Sequence, residues 1–130
     1  MRGMDDGTDQ PGLVALSPGA VLDRLERVIS ARRETSAERS YTARLLAGGV
    51  ALCGAKVTEE AAEVVAAAAA ESDQRVVAEA ADLVYHLLVL LATRGVPLAA
   101  VEAELGRRFG VSGLDEKAAR GAPRHSEGDA

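Results

Sequence analysis

GAKVTEEAAEVVAAAAAESDQRVVAEAADLVYHLLVLLATRG, residues 54–95, is the stretch that decides the fold. Its first half carries Val57, Ala61, Val64 and Ala68 at the three-four spacing of a packed helix, and predicts one from about Gly54 to Ala70. Ser72-Asp73 breaks that helix and offers a cap for the next. The second half runs to Arg94 and halts at Gly95, with Pro97 just beyond. So short a connection makes the pair an antiparallel hairpin.

Outward from this hairpin the punctuation stays helical. Ser17-Pro18 places a capping hydroxyl before a proline at the first helical position, and Val21, Leu22, Leu25, Val28 and Ile29 then recur at helical spacing to about Arg33. A short segment from Ser40 to Ala47 is expected to stop at Gly48-Gly49. A last helix, Leu98 to Phe109, carries Val101 and Leu105 on one face. The expected class is all-α, a small bundle of four to five helices in residues 17–120. Residues 1–16 read as a disordered leader and 121–130 as a disordered tail, since both are polar and without periodicity.

Composition agrees with close helix packing. Apolar residues make up 48% of the 130, yet aromatics only 2%, so alanine, valine and leucine must fill the core. Such side chains suit neighbouring helices better than strands, which favour β-branched and aromatic residues. A formal net charge of −5 argues against nucleic acid as a partner and offers no basic stripe to a membrane. The apolar run Leu83 to Ala92 is too short to span a bilayer. The single cysteine, Cys53, and an acidic N-terminus without an apolar signal stretch give a cytoplasmic expectation.

The chemistry lies in the acidic residues of the hairpin. Glu60 and Glu63 stand three apart on one helix, and Glu79 and Asp82 three apart on the next, so each pair projects from one face with Cβ atoms about 5–6 Å apart. Lone acidic pairs on helices are mostly solvated. The setting of the second pair differs, because Asp82, Tyr85 and His86 are the only polar side chains from Ala80 to Ala92. Apolar residues border this stripe on both sides, which predicts partial burial. Clustered carboxylates withdrawn from water need a cation. With only oxygen donors, magnesium is favoured and manganese is possible. A di-iron centre would require histidine three residues after Glu79, where Leu83 stands. Magnesium on carboxylates suits phosphoanhydride hydrolysis. Glu59, four before Glu63, is the candidate catalytic base.

The pattern EExxE, fifteen residues, then ExxD resembles that of the all-α nucleoside triphosphate pyrophosphohydrolase superfamily. The words SYTARLL (Ser40 to Leu46), KVTEEAAEVV (Lys56 to Val65), EAADLVYHLLVLLATRGV (Glu79 to Val96) and SGLDEKAAR (Ser112 to Arg120) resemble those of the phosphoribosyl-ATP pyrophosphohydrolase family. The resemblance covers about Val21 to Arg120. It implies hydrolysis of phosphoribosyl-ATP to phosphoribosyl-AMP and pyrophosphate, in histidine biosynthesis, by a magnesium-dependent helical homodimer. Glu60, Glu63, Glu79 and Asp82 would be the metal ligands. Arg44, Lys56, His86, Lys117 and Arg120 would contact the nucleotide substrate. Two departures, Thr58 where the family has glycine and Ala55 where it has lysine, bear on phosphate contacts and leave the acidic positions intact. Gly48 to Gly54 is atypical as well. A house-cleaning nucleoside triphosphate pyrophosphohydrolase is the nearest alternative, and a non-catalytic helical dimer binding a basic partner is the alternative from another class.

Overall fold

The computed structural model describes residues 18–110. These hold four α-helices and no strand: α1 (Pro18–Ala31), α2 (Tyr41–Ala70), α3 (Asp73–Thr93) and α4 (Leu98–Arg108). The all-α class is as expected. The proposed leader, residues 1–16, and tail, residues 121–130, lie outside the described residues. Residues up to Gly95 form one compact unit, and α4 belongs to a second.

The largest departure from the sequence reading concerns α2. The two helices expected on either side of residues 48–54 are one element of 30 residues, interrupted only at Gly49, where φ is 68° and ψ is −161°. The Gly48-Gly49 pair does break the helix as read, but the chain is helical again from Val50 rather than from Gly54. Each glycine is needed for its own reason. Gly49 adopts a left-handed φ that L-residues populate only at a cost. A Cβ on Gly48 would lie 2.6 Å from that of Leu52. Across the break, the Cys53 thiol donates to the Leu45 carbonyl over 3.2 Å. Burial pushes the Cys53 pKa up, which keeps the thiol protonated as a donor.

The helix ends follow capping rules closely. Ser40 accepts from the Ala43 amide at the start of α2, and Ser72 from the Arg75 amide at the start of α3. α1 tightens into a 3-10 turn at Arg32–Glu34 instead of continuing as α-helix to Arg33. α2 and α3 share the main interface, and α1 packs on α3. Ile29, Ala43, Leu45, Cys53, Ala67, Leu88 and Val89 form the buried core. On α2 the most protected seam is Cys53, Val57, Glu60, Val64 and Ala67, rotated slightly from the predicted stripe so that Glu60 faces inward. On α3 the buried positions include Glu79 and His86, two turns apart. Inward-facing polar groups on both helices are what the fold delivers to the site.

α3 has 21 residues and a mean hydropathy of 1.7 over its most apolar window, enough by length and composition to cross a membrane. It instead lies along α2 with a buried glutamate and a buried histidine, as a core helix does.

Candidate active site

Carboxylate oxygens of Glu60, Glu79 and Asp82 come within 4.8 Å of one another. Glu60 reaches this point from the inward seam of α2; Glu79 and Asp82 come from adjacent turns of α3. The burial differs from that expected of the sequence. Glu79 is the withdrawn member, at 8% exposure, while Asp82 is exposed. The apolar residues that border the stripe are themselves withdrawn, Val89 fully and Leu83 and Leu90 in part, yet they leave Asp82 in water. Glu63 is exposed and is not among the three clustered residues.

The chain supplies cations to this set. Arg75, one turn before Glu79, is hydrogen-bonded to its carboxylate and also to that of Glu71. The Glu71 hydrogen bond, followed by the charges of Glu79 and Glu63, raises the Arg75 pKa still further. Lys56 lies 3.1 Å from Glu59 and 3.9 Å from Glu60. Its hydrogen bond to Glu59, and then Tyr41 and Glu60, push its pKa above the ordinary value. Glu59 is the exposed partner of Lys56, which also reaches Glu60. Sequence reasoning missed Arg75, although its four-residue spacing to Glu79 is the signal for such a pair.

His86 is 6% exposed and uses both ring nitrogens within the protein. Its Nδ1 lies 2.8 Å from the Asp82 carbonyl, which can only accept, so Nδ1 carries the proton. In the neutral ring Nε2 then accepts from the Tyr41 hydroxyl over 2.9 Å. His86 was expected to meet substrate; the structure makes it the brace between the Asp82 turn and Tyr41. Thr42 and Tyr85 are hydrogen-bonded beside it, and Tyr41, Tyr85 and His86 form an aromatic cluster. Arg44 lies over the Tyr41 ring, 5.4 Å from its centroid. Lys117 and Arg120 lie outside the described residues. Ala55 and Thr58 are both exposed on α2.

The cluster fits a hard divalent cation. Its donors are all oxygens, and opposite vertices of a magnesium octahedron are about 4.2 Å apart at Mg–O distances of about 2.1 Å. The three carboxylate oxygens lie within 4.8 Å of one another, close to that span. The described chain is thus an all-α protein whose central hairpin gathers three carboxylates at one point.

The comparisons with known proteins give the family. Residues 22–109 match the profile of phosphoribosyl-ATP pyrophosphohydrolase. The phosphoribosyl-ATP pyrophosphatase of Erythrobacter litoralis is 57% identical over 100 residues, covering 77% of this chain and 96% of its own length. That of Parvibaculum lavamentivorans is 56% identical over 100 residues, with 77% and 92% covered. That of Rhodospirillum rubrum is 50% identical over 114 residues, with 87% and 97% covered. This chain belongs to the phosphoribosyl-ATP pyrophosphohydrolase family.

Proposed function

We propose that this protein hydrolyses phosphoribosyl-ATP to phosphoribosyl-AMP and pyrophosphate, the second step of histidine biosynthesis, in the cytoplasm. The observation that carries the reading is the convergence of Glu60, Glu79 and Asp82 oxygens within 4.8 Å, in a chain that belongs to this family. Glu60, Glu79 and Asp82 hold magnesium, with Glu63 completing the set from the next turn of α2. When bound, magnesium supplies positive charge against that developing on the departing pyrophosphate.

The remaining work falls to side chains of the chain itself. Lys56, held between Glu59 and Glu60, presents an ammonium to substrate phosphate oxygens. Arg44, stacked on Tyr41, presents a guanidinium to the same charge. Glu59 accepts a proton from the attacking water, and Lys56 fixes its orientation. His86 acts through Tyr41 and the Asp82 turn. Lys117 and Arg120 add cations from the C-terminal word.

The exposed apolar residues Val50, Leu52, Val65, Val77, Val84 and Leu87 on α2 and α3 support a homodimer. Sedimentation at tens of micromolar should give twice the chain mass; a monomer there would refute the dimer. The activity itself is tested by pyrophosphate release from phosphoribosyl-ATP beside a panel of nucleoside triphosphates, with and without magnesium. Preference for phosphoribosyl-ATP is expected. Turnover of a triphosphate in preference to it would favour the house-cleaning alternative.

A further inference from the structure

A second polar feature lies away from the carboxylates, where the turn after α1 meets the start of α2. There a cavity of about 510 Å³ is lined by Arg32, Thr35, Arg39, Ser40, Tyr41 and Thr42. That volume falls within the usual range for small-molecule sites. No carboxylate lines it, although Glu34 and Glu38 lie in the same turn. Neither Arg32 nor Arg39 makes an ion pair among the described residues. The surrounding chain is cationic in a protein of net charge −5: residues 24–44 hold six arginines against three glutamates.

The walls are held in place by bonds that do not use the Arg32 and Arg39 guanidiniums. Arg33 anchors the turn to the end of α3, donating to the Ala92 carbonyl over 2.6 Å. Thr35 and Arg39 close successive tight turns through their backbone amides. Ser40 accepts from the Ala43 amide, which leaves its own hydroxyl proton free to donate. The first residues of α2 carry amides without intrahelical partners, at the positive end of the helix. Two guanidinium forks, two hydroxyls and a helix start together make a donor-rich lining, with Tyr41 forming its boundary. An arginine fork matches the geometry of a phosphate better than any other side chain does.

Tyr41 also joins this cavity to the carboxylates. Its hydroxyl reaches His86, which is bonded to the Asp82 carbonyl, and its ring carries the Arg44 guanidinium 5.4 Å from the centroid. Tyr41 thus borders the cavity and is linked through His86 to the backbone of the turn that carries Asp82. Resting on the proposed substrate, whose triphosphate occupies the carboxylate end, we infer that this cavity binds a phosphate monoester, the 5-phosphate of the ribosyl group carried on the adenine. Phosphoribosyl-ATP bears charge at both ends, and ATP only at one. A second anion site bordered by Tyr41 thus selects the phosphoribosylated nucleotide over ATP.

The test uses the full chain and the variants Arg32→Gln/Arg39→Gln and Arg32→Lys/Arg39→Lys. Calorimetric titration with ribose 5-phosphate, inorganic phosphate and ribose reads the subsite without any turnover. Ribose 5-phosphate should bind more tightly than inorganic phosphate, and ribose should not bind. The Gln pair should weaken ribose 5-phosphate binding at least tenfold, and the Lys pair by less, because it keeps charge without the fork. With phosphoribosyl-ATP, the Gln pair should raise KM at least tenfold with most of the loss outside kcat, while the magnesium-induced rise in Tm stays that of the parent chain. Unaltered ribose 5-phosphate binding by the Gln pair, or an unaltered KM, would overturn the inference. Should the parent chain release no pyrophosphate from phosphoribosyl-ATP, the proposed reaction fails, and the titration still decides whether the arginines form a phosphate-monoester site.

Discussion

Asp82→Asn removes one charge from the carboxylate cluster while keeping the side chain's shape, and its consequences differ with and without magnesium. Oxygens within 4.8 Å of each other repel by about 0.9 kcal/mol per pair even at the dielectric constant of water. Asp82 takes part in two such pairs, with Glu60 and with Glu79. Arg75 on Glu79 and Lys56 on Glu60 cancel part of that repulsion. A net gain of up to about 1 kcal/mol remains for the metal-free variant, or a rise in Tm of up to about 5 °C. With magnesium the sign reverses. Losing one of the four anionic ligands should weaken binding at least tenfold. At a magnesium concentration one hundred times the parent Kd, a tenfold loss cuts the stabilisation from about 2.7 to about 1.4 kcal/mol. Thermal melts monitored by circular dichroism, with and without magnesium, read both effects on one sample. Turnover should be abolished. An active variant whose magnesium-induced rise in Tm equals the parent's would refute the ligand assignment.

Three further outcomes follow from named contacts. Arg75→Gln should lower the metal-free Tm and enlarge the magnesium-induced rise, because Glu79 loses its internal cation and the metal no longer competes with it; an unchanged rise would show that Arg75 and the metal act independently. Gly49→Ala should cost about 1–2 kcal/mol in chemical denaturation, from the left-handed φ alone, since nothing lies within 4 Å of the added Cβ; a neutral result would mean that α2 runs through residue 49 without a break. Glu104, bonded to Arg107 and Arg108, has its pKa lowered from the ordinary 4.5 to about 2. Its contribution to α4 is therefore complete above 4.5 and lost as pH falls toward 2, and Glu104→Gln should flatten the loss of helical signal across that window.

Much of this architecture was legible because it depends on local signals. The cap at Ser72, the stop at Gly95 and the hairpin of α2 and α3 are written in single residues and short spacings. The acidic positions were legible too, but which of them are withdrawn from water was not. A helical wheel places Asp82 among apolar neighbours; only the packing of α3 against α2 decides that Glu79 turns inward and Asp82 outward. The first turn of the helix beyond Gly49, Val50 to Cys53, was missed because a double glycine reads as the start of a loop, whereas here a single residue takes the break and Val50 resumes the helix. Arg32 and Arg39 gave no signal at all. Their significance comes from a turn folding back on the start of α2, which no periodicity encodes.

The cations around the cluster explain how the fold tolerates it before any metal binds. A buried carboxylate such as Glu79 is unfavourable without a partner, and Arg75 supplies one from the same helix. Lys56 does the same for Glu60 from the preceding turn of α2. Arg75 is an exposed side chain and Lys56 a half-buried one, so the two pairs differ in how far water screens them. Asp82 has no ion-pair partner among the described residues. The asymmetry within the cluster is therefore one of partners: Glu60 and Glu79 are each balanced by a cation of the hairpin itself, and Asp82 is left to whatever else reaches the site.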